Sequence, residues 1–247
     1  MSDLLDTFLN WDYIAEVLPD LLKTGLVNTL VLAGFSAVIG TVLGLGLALL
    51  GLSHRRWLRW PARVYTDIFR GLPAIVTILL VGQGLAVVAR PLVGNNPYPL
   101  GILALSLIAS AYIGEIFRAG IQSVDKGQSE AARALGMTHT ATMARVVVPQ
   151  GIRRVLPALV NQFISLVKDS SLVYFLGLLA SQRELFRIGQ DLAANTGNQS
   201  PLVAAGLVYL AITVPLTHLV NFVDRRLRDG RPVRGGDTLD ELEPARG

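Results

Sequence analysis

The sequence predicts an all-α integral membrane protein with five transmembrane helices and its N-terminus on the outside. Three observations support this fold class. Hydrophobic residues make up 51% of the 247 residues and charged residues only 16%, whereas about 25% charged residues is typical of soluble domains. Several stretches are close to or longer than the roughly 20 apolar residues with which a helix crosses a bilayer. Lysine and arginine are concentrated in alternate connecting segments, as the positive-inside rule describes for multi-pass proteins.

The N-terminal segment, residues 1–23, is predicted to lie at the outer membrane interface. It contains one lysine and five acidic residues, which is unlike the basic start of a cleavable signal peptide. A helix through this segment would be amphipathic, as in proteins that lie on a membrane surface. Its large apolar side chains on or near one side are Phe8, Trp11, Ile14 and Leu18.

The transmembrane domain is predicted over residues 24–226. Its first span, residues 24–53, contains no charged residue. Gly40, Gly44 and Ala48 recur four residues apart, so we expect this face to pack closely against another helix. The other predicted spans are residues 71–89, 100–117, 155–180 and 201–223. Residues 227–247 are rich in charged residues, glycine and proline, and this composition predicts a disordered cytoplasmic tail.

The distribution of basic residues sets the predicted orientation. Lysines and arginines number 16 in one set of segments and 4 in the alternating set. The first set is residues 54–63, 115–154 and 224–247, and the second is residues 1–23, 90–99 and 181–200. The richer set is therefore cytoplasmic, with the N-terminus outside and the C-terminus inside. The arginine-rich segment 54–63, with its two tryptophans, indicates a membrane interface rather than a nucleic-acid-binding surface.

A polar, alanine-rich segment, residues 127–149, interrupts the apolar spans on the cytoplasmic side. Its sequence is GQSEAARALGMTHTATMARVVVP. Strong helix formers from Glu130 to Leu135 predict a short helix, and Gly136 suits the left-handed residue that ends one. A second short helix is predicted from about Thr140, with Pro149 as its stop. Taken by composition alone, this segment is an ordinary helical loop.

A polar stripe in the fourth predicted span is the best candidate for a substrate pathway. Asn161, Ser165 and Lys168 lie on one helix face, and Asp169 borders it. Charged groups are costly inside a bilayer, so these side chains are expected to face a pathway, a partner subunit or one another. The alternative is that Lys168 and Asp169 end the helix and extend to the outer interface.

Other kinds of site are not indicated. The three histidines are scattered in the sequence and predict no metal site, and no lysine follows a glycine, so a G-K-[ST] phosphate loop is absent. No catalytic constellation and no cofactor of its own are predicted for this chain. Glu115 and Arg118, three residues apart at the inner end of the third span, are interpreted as an interfacial ion pair.

The pattern Glu130-Ala131-Ala132, then Gly136, then Val146, Val148 and Pro149 resembles the EAA loop of permease subunits of bacterial ABC importers. The family has isoleucine and leucine where this chain has the two valines. In that family the loop is a coupling helix that docks onto an ATPase subunit. The resemblance therefore implies that Glu130, Ala131, Ala132 and Gly136 are the docking residues.

Further stretches over residues 23–228 resemble the polar amino-acid branch of this family, including RGLPAIV and LPALVNQFISLVKDSSLV. The resemblance implies the core of a type I ABC importer in a bacterial plasma membrane, with two ATP-binding subunits that hold ATP and Mg²⁺. It also implies a second permease subunit, identical or not, and an extracellular or periplasmic solute-binding protein. The expected substrate is a polar or charged amino acid. The departures from the family pattern are Leu72, Thr77, Tyr174 and Phe175, which are expected near the pathway.

Proteins of other classes share some of these features. A gradient-driven secondary transporter or a channel for small polar solutes would explain charges within a span but not the spacing in residues 127–149. A structural assembly subunit would explain that loop but would make no use of Lys168.

Overall fold

The first part of the chain is helical almost without interruption. In this computed structural model, which describes residues 2–229, α1 (Ser2–Leu9) and α2 (Trp11–Asp20) meet at Asn10, whose side chain caps α2. A π-helical turn (Leu21–Gly25) leads directly into α3 (Leu26–Gly51). The predicted interfacial segment and first span are thus joined without a loop.

Helix α3 packs along α7 (Tyr98–Gln122) through the predicted glycine face. A Cβ atom on Gly40 would lie 2.7 Å from that of Ala109, and one on Gly44 would lie 2.9 Å from the backbone nitrogen of Gly114. The two backbones can approach this closely only because side chains are absent at these points. The expectation of a close helix contact on this face is confirmed.

Helix α4 (Arg56–Gly71) begins inside the arginine-rich segment 54–63. Its exposed Trp57 and Trp60 lie among the arginines of that segment, so most of the segment is an amphipathic helix. The spacing agrees with this, since Arg55, Arg59 and Arg63 recur four residues apart.

The second predicted span, residues 71–89, is not one helix. Helix α4 meets α5 (Ala74–Gly82) at an angle of 108°. Leu72 is extended because the following proline disfavours the α conformation. A second break separates α5 from α6 (Ala86–Val93). An uncharged apolar run indicates burial in a membrane but does not report whether the helix is straight.

The central helix α7 is followed by the polar insert, residues 127–149, and by the fourth predicted span. The elements are α8 (Lys126–Ala134), α9 (His139–Thr142), a π-helical turn (Met143–Val147) and α10 (Val148–Asp169). Pro149 was predicted to stop a helix, but it lies in the first turn of α10. A proline is tolerated there because no helical hydrogen bond to its nitrogen is needed.

The fourth span also differs from its prediction over residues 155–180. Helix α10 ends at Asp169, and a 3₁₀ segment (Ser170–Leu176) follows. Lys168 and Asp169 therefore lie in the last turn of a 22-residue helix, not near the middle of a longer one. The helix begins earlier than predicted because Val148 continues the preceding π-helical turn.

The chain closes with α11 (Leu185–Thr196) and α12 (Ser200–Asp229), which pack against each other and against α2. Val17 and Leu21 from the N-terminal segment join Leu185, Ile188 and their neighbours in one buried apolar cluster. Helix α12 includes residues 227–229 of the predicted tail. The rest of that prediction lies outside the described residues.

Within the described residues, three helical segments are long and apolar enough to span a membrane: Leu4–Gly51, Tyr98–Gln122 and Ser200–Phe222. The bent pair of α4 and α5 makes up to four. Helix α10 is long enough but contains Arg153, Arg154, Lys168 and Asp169. The number of five spans and the outside location of the N-terminus stay predictions.

Candidate coupling surface and substrate pathway

The polar insert is a short helix closed at both ends by hydrogen bonds. Asp125 caps the start of α8 by accepting a hydrogen bond from the backbone of Gly127 at 2.7 Å. At the other end, the Met137 nitrogen donates to Ala132 O and the Gly136 nitrogen donates to Arg133 O. This is the Schellman arrangement, which requires a left-handed residue. Gly136 supplies it with φ of 84°, so its predicted role as the helix end is confirmed.

The predicted docking residues are not equally accessible. Glu130, Ala131 and Gly136 are exposed, whereas Ala132 is only 6% exposed and packs within the protein. Leu135, beside Gly136, is 85% exposed. An apolar side chain in open solvent next to a rigid turn is a favourable contact point for another protein. Leu135 was not among the predicted docking residues, although its position before the helix-ending glycine could have indicated its exposure.

The insert is tied to the spans above it by polar contacts. Arg154 of α10 donates to the backbone carbonyl of Ser123, and Gln150 donates to Gln128 of α8 at 3.3 Å. Below them, Ile121, Val124 and Val147 form a small buried cluster. Gln150 thus joins the start of α10 to α8, and Arg154 joins α10 to the end of α7 just before α8.

Two histidines that the sequence analysis treated as scattered come together beside this insert. The rings of His54 and His139 are 5.9 Å apart between centroids in an edge-to-face arrangement. His54 follows α3 and His139 begins α9, so this contact joins the end of the first span to the insert. Among the described residues, no group of three or more His, Cys, Asp or Glu side chains is arranged to hold a metal ion.

The four predicted pathway residues lie on a face of α10 that the rest of the chain leaves open. Asn161 and Lys168 are exposed, and Ser165 and Asp169 are partly buried. Ile164, Leu166 and Val167 on the other side are buried. In the described part of the chain, none of the four polar side chains forms a hydrogen bond or an ion pair within the protein. They are therefore free to bind a solute or a second subunit.

The positions that depart from the family pattern are placed differently from one another. Leu72 lies at the break between α4 and α5 and is 38% exposed. Phe175 is half-exposed in the 3₁₀ segment. Thr77, in contrast, is 2% exposed and its hydroxyl oxygen has no partner. We therefore place Thr77 in the packing between helices rather than on an open surface.

The ion pair predicted at the inner end of α7 is confirmed and is larger than expected. Arg118 donates to both carboxylate oxygens of Glu115, at 2.9 and 2.5 Å. Arg70, in the last turn of α4, lies 3.6 Å from the same carboxylate and over the ring of Tyr112. Arg70 thus holds the end of α4 against α7 at the point where the chain bends.

A buried carboxylate that the sequence analysis missed lies at the start of α11. Glu184 is fully buried and accepts hydrogen bonds from the backbone of Phe186 and Arg187, at 2.6 and 2.7 Å. The Tyr209 hydroxyl of α12 donates to it at 3.0 Å. Burial raises the pKa of Glu184 to about 7, against the lowering effect of these donors. Glutamate is not among the usual N-cap residues, so nothing in the local sequence indicated this cap, and its burial depends on α12.

Comparisons with known proteins give this arrangement a context. The profile of a family described as binding-protein-dependent transport system inner membrane component matches residues 40–229. The arginine transport system permease protein ArtQ of Bacillus subtilis is 37% identical over 224 residues, covering 89% of this chain and 99% of the relative. The glutamate/aspartate import permease protein GltK of Escherichia coli O157:H7 is 37% identical over 223 residues, covering 88% and 97%.

Solved structures give the same picture. A crystal structure of an amino acid ABC transporter with histidines matches with a TM-score of 0.75 and 34% identity, covering 86% of this chain and 96% of that chain. The MetNI methionine ABC transporter matches with a TM-score of 0.68, 23% identity, and coverage of 86% and 96%, a likeness of fold alone.

Proposed function

The chain belongs to the family of binding-protein-dependent transport system inner membrane components and is a permease subunit of the amino-acid ABC importer type, and we propose that its substrates are polar or charged L-amino acids. We consider two groups of substrates. One is glutamate and glutamine, and the other is arginine and histidine. The chain is a multi-pass protein of the bacterial inner membrane. Transport would be driven by two cytoplasmic ATP-binding subunits, and this chain would itself hold neither ATP nor Mg²⁺.

The observation that supports ATP-driven transport by this chain is the exposed end of α8. Glu130 and Gly136 are exposed there on a helix fixed by the Schellman turn, and Leu135 projects beside them. A rigid helix end with a charged and an apolar contact point is suited to a groove on another protein, because little conformational freedom is lost on binding. We therefore assign docking of the ATPase subunit to Glu130, Ala131, Leu135 and Gly136, with Ala132 supporting α8 from behind.

Alternating access follows from the connection of α8 to the spans. When the two ATPases close on ATP, the two coupling helices of the permease pair would be drawn together. Gln150 joins the start of α10 to Gln128 of α8, and Arg154 joins it to Ser123 at the end of α7. Helix α10 would therefore move with the coupling helix, and the pathway would open outward. ATP binding thus shifts the population between two states rather than acting on the substrate itself.

Substrate recognition is assigned to the open face of α10. The Lys168 ammonium group would bind the substrate's carboxylate, and the Asp169 carboxylate would bind its ammonium group. Ser165 and Asn161, about one and two turns before Lys168, would accept hydrogen bonds from a polar side chain or donate them to it. A solute-binding protein would deliver the amino acid from outside, and a second permease subunit would cover the face.

The first test is co-purification of the tagged, detergent-solubilised chain from its native cells. Wild type should recover an ATP-binding subunit. Glu130→Lys reverses the exposed charge and should reduce that recovery by roughly tenfold or more. Gly136→Val places a β-branched residue in a left-handed conformation and should have a similar effect. The matched control is Gly136→Asn, since asparagine tolerates this conformation and should retain the ATPase.

Recovery of a folded wild-type chain without any ATPase would contradict the proposal. The gradient-driven transporter or channel would then become the better explanation, and solute flux that follows an ion gradient without ATP would support it. Equal recovery in wild type and in all variants would leave the ATPase partner but would remove these docking residues.

A further inference from the structure

Glu184 lies at the start of α11, where hydrogen bonds of Glu184 and of the adjacent Leu185 join α11 to α12 and α3. Its carboxylate satisfies the second and third backbone N–H groups of α11, while the first, that of Leu185, donates to the Thr29 hydroxyl of α3 at 3.2 Å. Tyr209 brings α12 to the same carboxylate. A buried charge is tolerated only where such hydrogen bonds are complete. The Glu184 carboxylate therefore joins the start of α11 to α12, and the neighbouring Leu185 joins it to α3.

The Tyr209 hydroxyl, which donates to Glu184, also lies beside a residue at the end of α10. The hydroxyl groups of Ser170 and Thr29 are further polar neighbours of the Tyr209 hydroxyl. Ser170 is fully buried and directly follows Asp169 in the chain. The carboxylate of Glu184 is thus linked through one tyrosine to the residue next to the open polar face of α10.

A second set of contacts joins the same two regions. Tyr174, in the 3₁₀ segment after α10, packs edge-to-face against Phe186 with centroids 5.3 Å apart. The guanidinium of Arg187 lies 5.0 Å from the Tyr174 ring centroid and donates to Asp191. Phe186 and Arg187 are the two residues whose backbone Glu184 holds. The carboxylate therefore fixes both the start of α11 and the aromatic contact that supports the 3₁₀ segment.

We propose that Glu184 is a positioning residue for transport, which holds the end of α10 so that Lys168 and Asp169 face the substrate. This inference rests on the proposed function, because it assumes that those two residues contact the transported amino acid. Glu184 itself is buried and does not contact the substrate. Its effect passes through Tyr209 and Ser170 on one side and through Tyr174 on the other.

The charge of Glu184 matters to this role. The ionised carboxylate accepts three charge-assisted hydrogen bonds, and protonation removes the charge that strengthens them. The cap of α11 and the link to Tyr209 would then weaken. Since its pKa is about 7, this change takes place near neutral pH.

Other ionisable groups surround this region and bear on the same pH range. They are Arg187 and Asp191 from α11, Tyr209 from α12, Tyr174 from the 3₁₀ segment, Lys168 and Asp169 from α10, Arg183 from the connection before α11, and Glu16, Asp20 and Lys23 from the N-terminal segment. Among them, Arg187 and Tyr209 act directly on the Glu184 carboxyl, and both favour its charged form. A test must therefore separate Glu184 from its neighbours.

The test is ATP-driven uptake by the complete complex in proteoliposomes, with its binding protein and with labelled arginine, glutamate, glutamine and cystine each supplied. The best-transported amino acid is then followed between about pH 8 and about pH 6. In wild type the ionised fraction of Glu184 falls over this range, so transport efficiency should fall roughly five- to tenfold, mainly through KM. Glu184→Gln should be low and nearly independent of pH, since glutamine cannot accept all three hydrogen bonds.

Two further variants make the assignment specific. Glu16→Gln removes an exposed carboxylate from α2 by the same substitution and should keep the wild-type profile. Tyr209→Phe removes a donor that favours ionised Glu184, so its midpoint should move to higher pH. Co-purification of the ATPase with Glu184→Gln will show that this variant is folded and assembled.

The outcomes are distinguishable. A wild-type pH profile that survives unchanged in Glu184→Gln, with equal uptake, overturns this inference but leaves the importer function intact. The same conclusion applies if Glu184→Gln lowers uptake by an equal factor at every pH, because a merely structural role predicts that result. Absence of ATP-driven uptake by wild type overturns the proposed function and this inference together.

Discussion

Gly151 of α10 lies so close to Ile121 of α7 that a Cβ atom on the glycine would be 2.8 Å from the Ile121 Cα atom. On the facing helix, a Cβ atom on Gly120 would lie 2.7 Å from the Gly151 carbonyl oxygen. The two helices therefore cross backbone against backbone, close to the point where α7 leads into α8. Movement of α10 relative to α7 has to occur at or near this crossing.

Gly151→Ala is expected to destabilise the chain by about 1–3 kcal/mol, because the added methyl group meets backbone that cannot move independently. The melting temperature of the purified complex, followed by tryptophan fluorescence, will measure this loss. Gly46→Ala in α3 is the matched control, since nothing lies within 4 Å of its Cβ position, and it should melt at or slightly above the wild-type temperature. Equal melting of both variants would mean that the crossing is looser than described.

Ala131 and Ala132 of α8 are expected to respond differently to substitution by leucine. Ala131 is exposed, so Ala131→Leu should leave the melting temperature unchanged but should block the approach of an ATPase. Ala132 is buried, so Ala132→Leu should destabilise the insert by about 1–3 kcal/mol through overpacking. Thermal melting and ATPase co-purification are measured on both variants. A stable Ala132→Leu chain without ATPase would instead make Ala132 a direct contact.

The sequence predicted those features that depend on local chemistry. The helix end at Gly136 follows from a run of helix formers before a glycine. The packing face of Gly40 and Gly44 follows from their spacing alone. Pro149 was interpreted as a stop because proline breaks helix interiors, but the preceding turn makes it the start of one. Whether a proline begins or ends a helix depends on the backbone before it.

The remaining features depend on contacts between distant parts of the chain. Glu184 is not a usual cap residue, and nothing local shows that Tyr209, 25 residues later, will cover it. The exposure of Leu135 and the burial of Ala132 likewise depend on how α8 rests against the neighbouring turn. Periodicity can place residues on one face of a helix, but it does not say which element, if any, covers that face.

The ammonium group of Lys168 is expected to contribute to substrate affinity. Lys168→Met keeps the length of the side chain and removes its charge, and it should raise KM for uptake roughly ten- to a hundredfold, as expected for loss of a charged hydrogen bond worth about 1.5–3 kcal/mol. The ATPase should remain bound, since α8 is unchanged. Lys168→Arg preserves the charge and should recover much of the affinity. Unchanged KM in both variants would remove Lys168 from the pathway.

Glu184 gives the folded chain an unusual dependence of stability on pH. Its pKa rises from 4.5 to about 7 on folding, so between these values the folded chain holds a proton that the unfolded chain has released. The free energy of unfolding therefore falls as the pH rises. The contribution is complete below about pH 4.5 and lost above about pH 7, and it amounts to about 2–4 kcal/mol.

Glutamine does not titrate, so Glu184→Gln should lose this pH dependence. Thermal unfolding of the detergent-solubilised chain at about pH 5 and about pH 8 measures it. We expect wild type to lose stability relative to Glu184→Gln on going to the higher pH, and Glu16→Gln to follow wild type. If the stabilities of wild type and Glu184→Gln instead change equally between these pH values, the carboxylate is ionised throughout this range. Its hydrogen bonds then outweigh the cost of its burial.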